Sequence, residues 1–327
     1  MSAPPGSVVG VVRAGQRRVI ASGVADSIGT PVTAETLFDL ASVTKVVVTT
    51  CLLHRLAVLR ELTLDDPVVR YLPWSPTPSS TNLRTLAYHR ACLWEWQPLY
   101  LTADPVGALA GLPLRYDAES GRHYSDLGFV MLGLVIEAAT GLSLRDALTE
   151  IVVEPLGLRR LGFGPVPAPV ASSSMGDAVE KRMAATGEPY PVLFEDRGFA
   201  WRERELVGVA NDGNAFHAFG GVAGHAGAFA VVDDLLTLLE SLASGDVFWG
   251  DTRDVFADGP DAGQAFGWRS MTDGAARWLW HPGFTGCAVG FVPGDGTGVA
   301  MLTNRLMADE PEPTEALWRD ALAEVSR

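Results

Sequence analysis

Ser42-Val43-Thr44-Lys45 places a lysine three residues after a serine, and lysine is scarce in this chain. Of the 25 lysines and arginines in 327 residues, only Lys45 and Lys181 are lysines. Arginine serves wherever positive charge alone is needed, so a lysine kept beside a serine at the start of an apolar stretch points to chemistry. Lysine can lose its proton when buried, whereas arginine effectively cannot. A serine hydroxyl needs a nearby base before it can attack a carbonyl, and S-x-x-K is the short form of that pairing.

The element that must position the pair is a helix. From Ser42 to Leu59 the apolar residues Val46, Val47, Cys51, Leu52, Leu56 and Leu59 recur, with Arg55, Arg60 and Glu61 at the far end. Side chains three apart on a helix are neighbours. Ser42 falls in the first turn, where free N–H groups and the positive dipole end favour developing negative charge. Burial is expected to lower the Lys45 pKa by disfavouring its charged form. The alternative is a capping Ser42 beside a solvated Lys45.

Length suggests two subdomains or one large α/β unit. A hydrophobic share of 47% supplies a core, and a net charge of −14 argues against nucleic-acid or anionic-membrane partners, which need basic patches. Cys51, Cys92 and Cys287 form no disulfide or zinc pattern, so no metal or cofactor is expected. Met1–Gly10 shows no signal peptide, and the apolar stretch Leu127–Ile136 is too short to cross a bilayer. The expectation is a cytoplasmic protein.

Val8–Arg13 and Arg18–Val24 read as a hairpin. Asp65-Asp66-Pro67 reads as a helix start within Leu64–Pro73, Leu127–Ala139 as a buried helix stopped by Gly141, and Pro165–Ser174 as a loop. Val231–Ser241 reads as a helix, and Phe266–Met271, Ala276–His281, Cys287–Val292 and Gly298–Asn304 as short strands. Thr314–Val325 closes the chain as an amphipathic helix. The fold class is therefore α/β (α+β), with one sheet assembled from both chain ends. Residues 1–80 and 226–327 would form the sheet subdomain and 81–225 a mainly helical one, with the active site between them.

Two more motifs raise the serine–lysine reading: Tyr124-Ser125-Asp126 before the Leu127 helix, and His281-Pro282-Gly283-Phe284-Thr285-Gly286 between two strands. In this order they resemble the serine β-lactamase and penicillin-binding-protein superfamily, closest to its class C and esterase- or amidase-like branch. Leu37–Lys45 is similar to that branch's nucleophile segment, and Gly220–Gly227 to a glycine-rich segment of its peptidase-, esterase- and amidase-like members. The resemblance spans about residues 8–305. It implies a β-lactamase-like fold, an antiparallel sheet flanked by helices with a helical insertion.

The resemblance also implies roles. Ser42 would form an acyl-enzyme. Lys45 would take its proton or hold Tyr124 as a phenolate, and Tyr124 would act as second base. An ordinary tyrosine titrates near 10, so it needs adjacent positive charge, which Lys45 and His281 would supply. Backbone N–H groups of Ser42 and Phe284, at a helix start and a strand edge, would form an oxyanion hole. Asp126 would contact Lys45 and the substrate amide, Gly283 would line the site, and Trp94, Trp96 and Tyr100 would line an acyl pocket or pack the helical region. His225 reads as a loop stabiliser, and His54, His89, His123 and His217 as structural or surface residues without metal spacing.

Pro282 departs from the pattern. It stands where the family has a threonine that helps hold a substrate carboxylate. His89-Arg90-Ala91-Cys92 and Asn211-Asp212-Gly213-Asn214-Ala215 also differ from the amidase-like branch. These departures favour a repurposed pocket around acyl-transfer machinery. The leading expectation is a serine acyl-transfer enzyme cleaving a small ester or amide, with water or an amine or alcohol as acceptor. The alternatives are a β-lactamase or D-peptidase, and a non-catalytic binding protein on the same fold.

Overall fold

The computed structural model describes residues 2–325. Eleven strands are described: β1 Gly6–Arg13, β2 Gln16–Gly23, β3 Phe38–Asp39, β4 Gly162–Phe163, β5 Ser172–Met175, β6 Glu205–Val207, β7 Ala228–Ala230, β8 Arg269–Asp273, β9 Ala276–Pro282, β10 Ala288–Val292 and β11 Thr297–Thr303. The main sheet runs β2-β1-β11-β10-β9-β8 and is antiparallel throughout. Its central pairing joins the two chain ends, with Val8 opposite Leu302 and Val12 opposite Gly298.

Side-chain alternation sends the two faces of this sheet into different cores. Val8, Val12, Val289, Ala300 and Leu302 join the large core with Leu235 and Leu239 of the helix Val232–Ser244. Trp278, Trp280, Val299 and Met301 face the other way, onto Trp318 of the closing helix Thr314–Val325. The Trp280 and Trp318 rings stack there with centroids 5.8 Å apart.

The serine–lysine segment is one helical run, Ala41–Val58, buried in the middle of the molecule. It is less regular than the apolar pattern predicts. Ala41–Val43 is a tight 3₁₀ turn, Lys45–Thr50 is wound as a π-helix, and only Cys51–Val58 is a regular α-helix. Thr50 Oγ1 bonds back to the Lys45 carbonyl at 2.8 Å, within that wide turn. Wide turns of this kind are frequent at functional sites. By length and composition this helix could cross a membrane, but 78% of it is buried inside the protein, so it is a core helix.

Other expectations are corrected. Asp65-Asp66-Pro67 opens only the single turn Val68–Arg70, because the Asp66 carboxylate is engaged by Thr63, Arg70 and Tyr71. The Pro165–Ser174 loop ends in β5, paired with β6. The middle of the chain is mostly helical and irregular, yet it also supplies β4, which pairs with β7 beside β3.

His54 lies within this helix, its ring stacked at 5.8 Å on Trp249. Burial holds its imidazole down at about 4 against an ordinary 6.5. As pH falls from 6.5 towards 4, the unfolded chain binds a proton that the fold refuses, so stability is lost over that window. His54→Phe is expected to lose about 3 kcal/mol less stability than the natural protein between pH 7 and 4. Urea unfolding at the two pH values measures the difference.

Candidate active site

Strand β3 delivers the chain to Ala41, which turns into the left-handed region at φ 45°. For a residue with a Cβ this backbone costs about 1–3 kcal/mol. Asp39 holds it there: its Oδ1 accepts the Ala41 N–H at 2.7 Å and its Oδ2 the Asn211 N–H at 2.6 Å. Burial pushes this carboxyl up to about 6. The turn leaves Ser42 half-buried at the start of its helix, with Lys45 one turn on and wholly buried.

Lys45 Nζ has three oxygen partners. It lies 2.9 Å from Ser42 Oγ, 3.1 Å from the His225 carbonyl and 2.7 Å from Asp126 Oδ1. It also sits 5.1 Å from the centre of the Tyr124 ring. The expected loss of charge on burial is not what the structure shows. Burial does work against the ammonium, but Asp126 and Tyr124 outweigh it and raise the pKa above its ordinary value. Lys45 is therefore a cation at neutral pH.

Tyr124-Ser125-Asp126 is held from behind by groups that sequence reasoning left in the background. His89 Nδ1 accepts the Ser125 N–H at 3.0 Å, and its ring lies 4.6 Å from that of Tyr124. Burial keeps this imidazole neutral, its pKa well below the ordinary value, as an acceptor nitrogen requires. Ser125 Oγ donates to the Trp94 carbonyl at 2.6 Å and, as N-cap, accepts the Gly128 N–H at 3.2 Å. Asp126 thus stands at the first position of the helix Asp126–Thr140, favourable for a carboxylate.

The glycine-rich segment closes the back of the site. His225 is buried, and its Nε2 meets Asp212 Oδ1 at 2.9 Å while its carbonyl receives Lys45. Burial works against the charge on Asp212, but His225 dominates and holds the carboxyl down at about 2. Gly224 packs so closely on the Asp126 helix that a Cβ would lie 2.2 Å from the Phe129 carbonyl and 2.8 Å from the Gly133 nitrogen. Gly224→Ala should therefore cost about 1–3 kcal/mol by forcing two backbones apart. Chemical denaturation checks this, and a loss below 0.5 kcal/mol, within the range of neutral substitutions, would contradict it.

His281 lies on β9, fully buried, its ring 6.1 Å from that of Tyr124. It is not the second source of charge expected for Tyr124. Burial holds its pKa well below the ordinary value, and its Nδ1 donates to the Pro282 carbonyl at 2.8 Å. Phe284 is about half exposed and sits in the turn after β9 rather than on a strand edge, closed by the Gly286 N–H donating to Gly283 at 3.1 Å. Gly283 serves packing: a Cβ there would lie 2.4 Å from the Leu40 carbonyl.

Ser42, Trp96, Tyr124, Asp126, Tyr190 and Phe284 share the wall of a cleft of about 350 Å³. A second hollow of about 360 Å³ adjoins it, with Val179, Glu180, Arg182, Asn211 and Phe284 common to both. Trp94 points elsewhere, its Nε1 donating to the Pro113 carbonyl at 2.9 Å and its ring covered by Arg115. Tyr100 is buried behind the wall, its ring 5.1 Å from that of Phe199. Glu180, Met183 and Tyr190 went unnoticed because they lie in a polar stretch without a motif, while Asp39 and Asp212 are single acids whose partners are distant in sequence. Among the described residues no group of three or more His, Cys, Asp or Glu side chains is arranged to hold a metal ion.

A lone serine–lysine pair at the head of a core helix, faced by a tyrosine loop and an antiparallel sheet, defines the class of serine hydrolases that dispense with a Ser-His-Asp triad. The chain belongs to the β-lactamase family, whose family model matches residues 2–324. Relatives include a putative D-alanyl-D-alanine carboxypeptidase of Escherichia coli (strain K12), 27% identical over 323 residues, covering 86% of this chain and 72% of that protein. An N-acetylmuramyl-L-alanine amidase of Bacillus subtilis (strain 168) is 27% identical over 318 residues, covering 86% and 70%. Among solved structures, EstCE1, a hydrolase with promiscuous acyltransferase activity, superposes with a TM-score of 0.70 at 26% identity, over 98% of this chain and 93% of that one. The D-amino acid amidase of Ochrobactrum anthropi SV3 shares the fold, with a TM-score of 0.73 at 20% identity over 99% and 95%.

Proposed function

We propose that this protein is an acyl-transfer enzyme that cleaves a small ester or amide through an acyl-Ser42 intermediate and passes the acyl group to water or to an amine or alcohol. The observation that carries the reading is Lys45 Nζ, buried between Ser42 Oγ and Asp126 beside the Tyr124 ring, directly behind an open cleft whose wall includes Ser42, Tyr124 and Asp126. Ser42 Oγ attacks the substrate carbonyl carbon, and the carbonyl electron pair moves to oxygen. The N–H groups of Ser42 and Phe284 receive that oxyanion. Lys45, already protonated, does not take the serine proton. Tyr124, entering as a phenolate held in that form by the Lys45 charge beside its ring, takes the proton and, now a neutral phenol, hands it to the leaving alcohol or amine as the bond to that group breaks. The acceptor then repeats the sequence in reverse.

Transfer to an amine is supported by the similarity to EstCE1, described as a hydrolase with promiscuous acyltransferase activity. Product analysis tests the split. An activated acyl ester incubated without and with a primary amine should give acid alone in the first case and a share of amide in the second. A product mixture unchanged by amine would leave a hydrolase alone.

A second reading, a D-peptidase, is favoured by the E. coli relative's description. Against it stands Pro282, buried and without a hydroxyl or an N–H to offer a substrate carboxylate. A D-alanyl-D-alanine ester turned over faster than a simple short-chain ester would favour the peptidase.

A further inference from the structure

Glu180 lines both hollows of the cleft, on the helix Ala178–Thr186. Its Oε1 accepts the Gly213 N–H at 2.6 Å. Its Oε2 lies so close over Gly213 that a Cβ there would meet it at 2.3 Å, and the Tyr100 ring closes the same side at 2.8 Å from that point. The carboxyl is therefore held in one place by backbone and ring. The acids around it have basic side-chain partners: Asp177 is paired with Arg202 at 2.6 Å and lies 3.1 Å from His217 Nε2, and Asp212 lies 2.9 Å from His225 Nε2. Among the described residues no arginine, lysine or histidine pairs with Glu180. Arg182, two residues along the same helix, is exposed.

A glutamine would hold the Gly213 N–H equally well without the cost of burying an ionisable group. A carboxyl confined at the wall of an open cleft, beside Asp212 and without a cation of its own, is a receptor for a positive charge brought from outside. We propose that Glu180 is a specificity-determining residue that recognises a protonated primary amine on the substrate or acceptor held in the Ser42 cleft; this inference rests on the acyl-transfer reading of that cleft. Burial, and then the neighbouring Asp212, push the Glu180 carboxyl up to about 8. An ammonium bound beside it would favour the carboxylate and oppose that upward push.

Binding to the full-length Ser42→Ala protein separates recognition from chemistry. Calorimetric titrations with D- and L-alaninamide and with propionamide, which lacks the amine, are the comparison. At least one alaninamide should bind roughly tenfold or more tightly than propionamide, and adding Glu180→Gln should bring the two within about twofold. Equal affinities, binding of none of the amides, or a preference that survives Glu180→Gln would overturn the proposal. The acyl-transfer reading fails on a different observation, retained ester turnover by Ser42→Ala itself.

Discussion

Ser42→Ala lowers turnover of an activated acyl ester by on the order of 10⁴-fold or more, while the protein unfolds at the same denaturant concentration as before. The size of the effect follows from the site. Ser42 Oγ lies 2.9 Å from Lys45 Nζ and has a place in the cleft wall, where a substrate carbonyl can reach it. Removing a half-buried hydroxyl leaves Lys45 with Asp126 and the His225 carbonyl, so the ammonium keeps a neutralising partner and the fold loses little. Steady-state kinetics alongside urea unfolding read both halves. A folded variant with turnover near that of the natural protein would remove Ser42 from the chemistry.

Lys45→Met produces the second large effect, and it falls on rate and stability together. The methionine fills most of the lysine's volume but leaves Asp126, whose side chain is 19% exposed, facing an apolar neighbour. Breaking a buried pair by removing one partner costs about 3–5 kcal/mol, because the other charge is left uncompensated. The rate should fall by on the order of 10³-fold, since the charge that supports proton transfer at Tyr124 is gone. A double variant, Lys45→Met with Asp126→Asn, separates the two. It should regain most of the stability and none of the rate. Recovery of both would make Lys45 a structural residue.

Much of this was legible in the chain. The hairpin, the four C-terminal strands and the helices around Leu127 and Val232 follow from apolar periodicity, which depends on burial and so survives in a single sequence. Ser42, Lys45 and Tyr124 come together as their motifs predict, and Asp126 meets Lys45. What could not be read was the balance of energies once those groups met. Burial alone predicts a lysine that loses its proton. Asp126, 81 residues away in sequence, reverses that sign. Burial alone also leaves His281 and His89 neutral, so charge near Tyr124 comes from Lys45 and not from β9.

The wall of the cleft was less visible for a related reason. Glu180, Met183 and Tyr190 carry no motif, and their segment has the composition of a surface loop. Their place in the site depends on how the Ala178–Thr186 helix lies against the loop at Asn211–Gly213, a long-range arrangement that local patterning does not encode. The strained Ala41 was hidden as well, because alanine does not announce a left-handed backbone. Only the Asp39 carboxylate bonding to Ala41 and Asn211 reveals what holds it.

The central claim is a covalent acyl-Ser42 intermediate. Intact-mass spectrometry of the protein quenched within seconds of mixing with an activated acyl ester, followed by peptide mapping, tests it most directly. The account predicts one added acyl group per chain, carried on the peptide containing Ser42 and absent from Ser42→Ala. An adduct on another residue, or one that persists unchanged in Ser42→Ala, would contradict it.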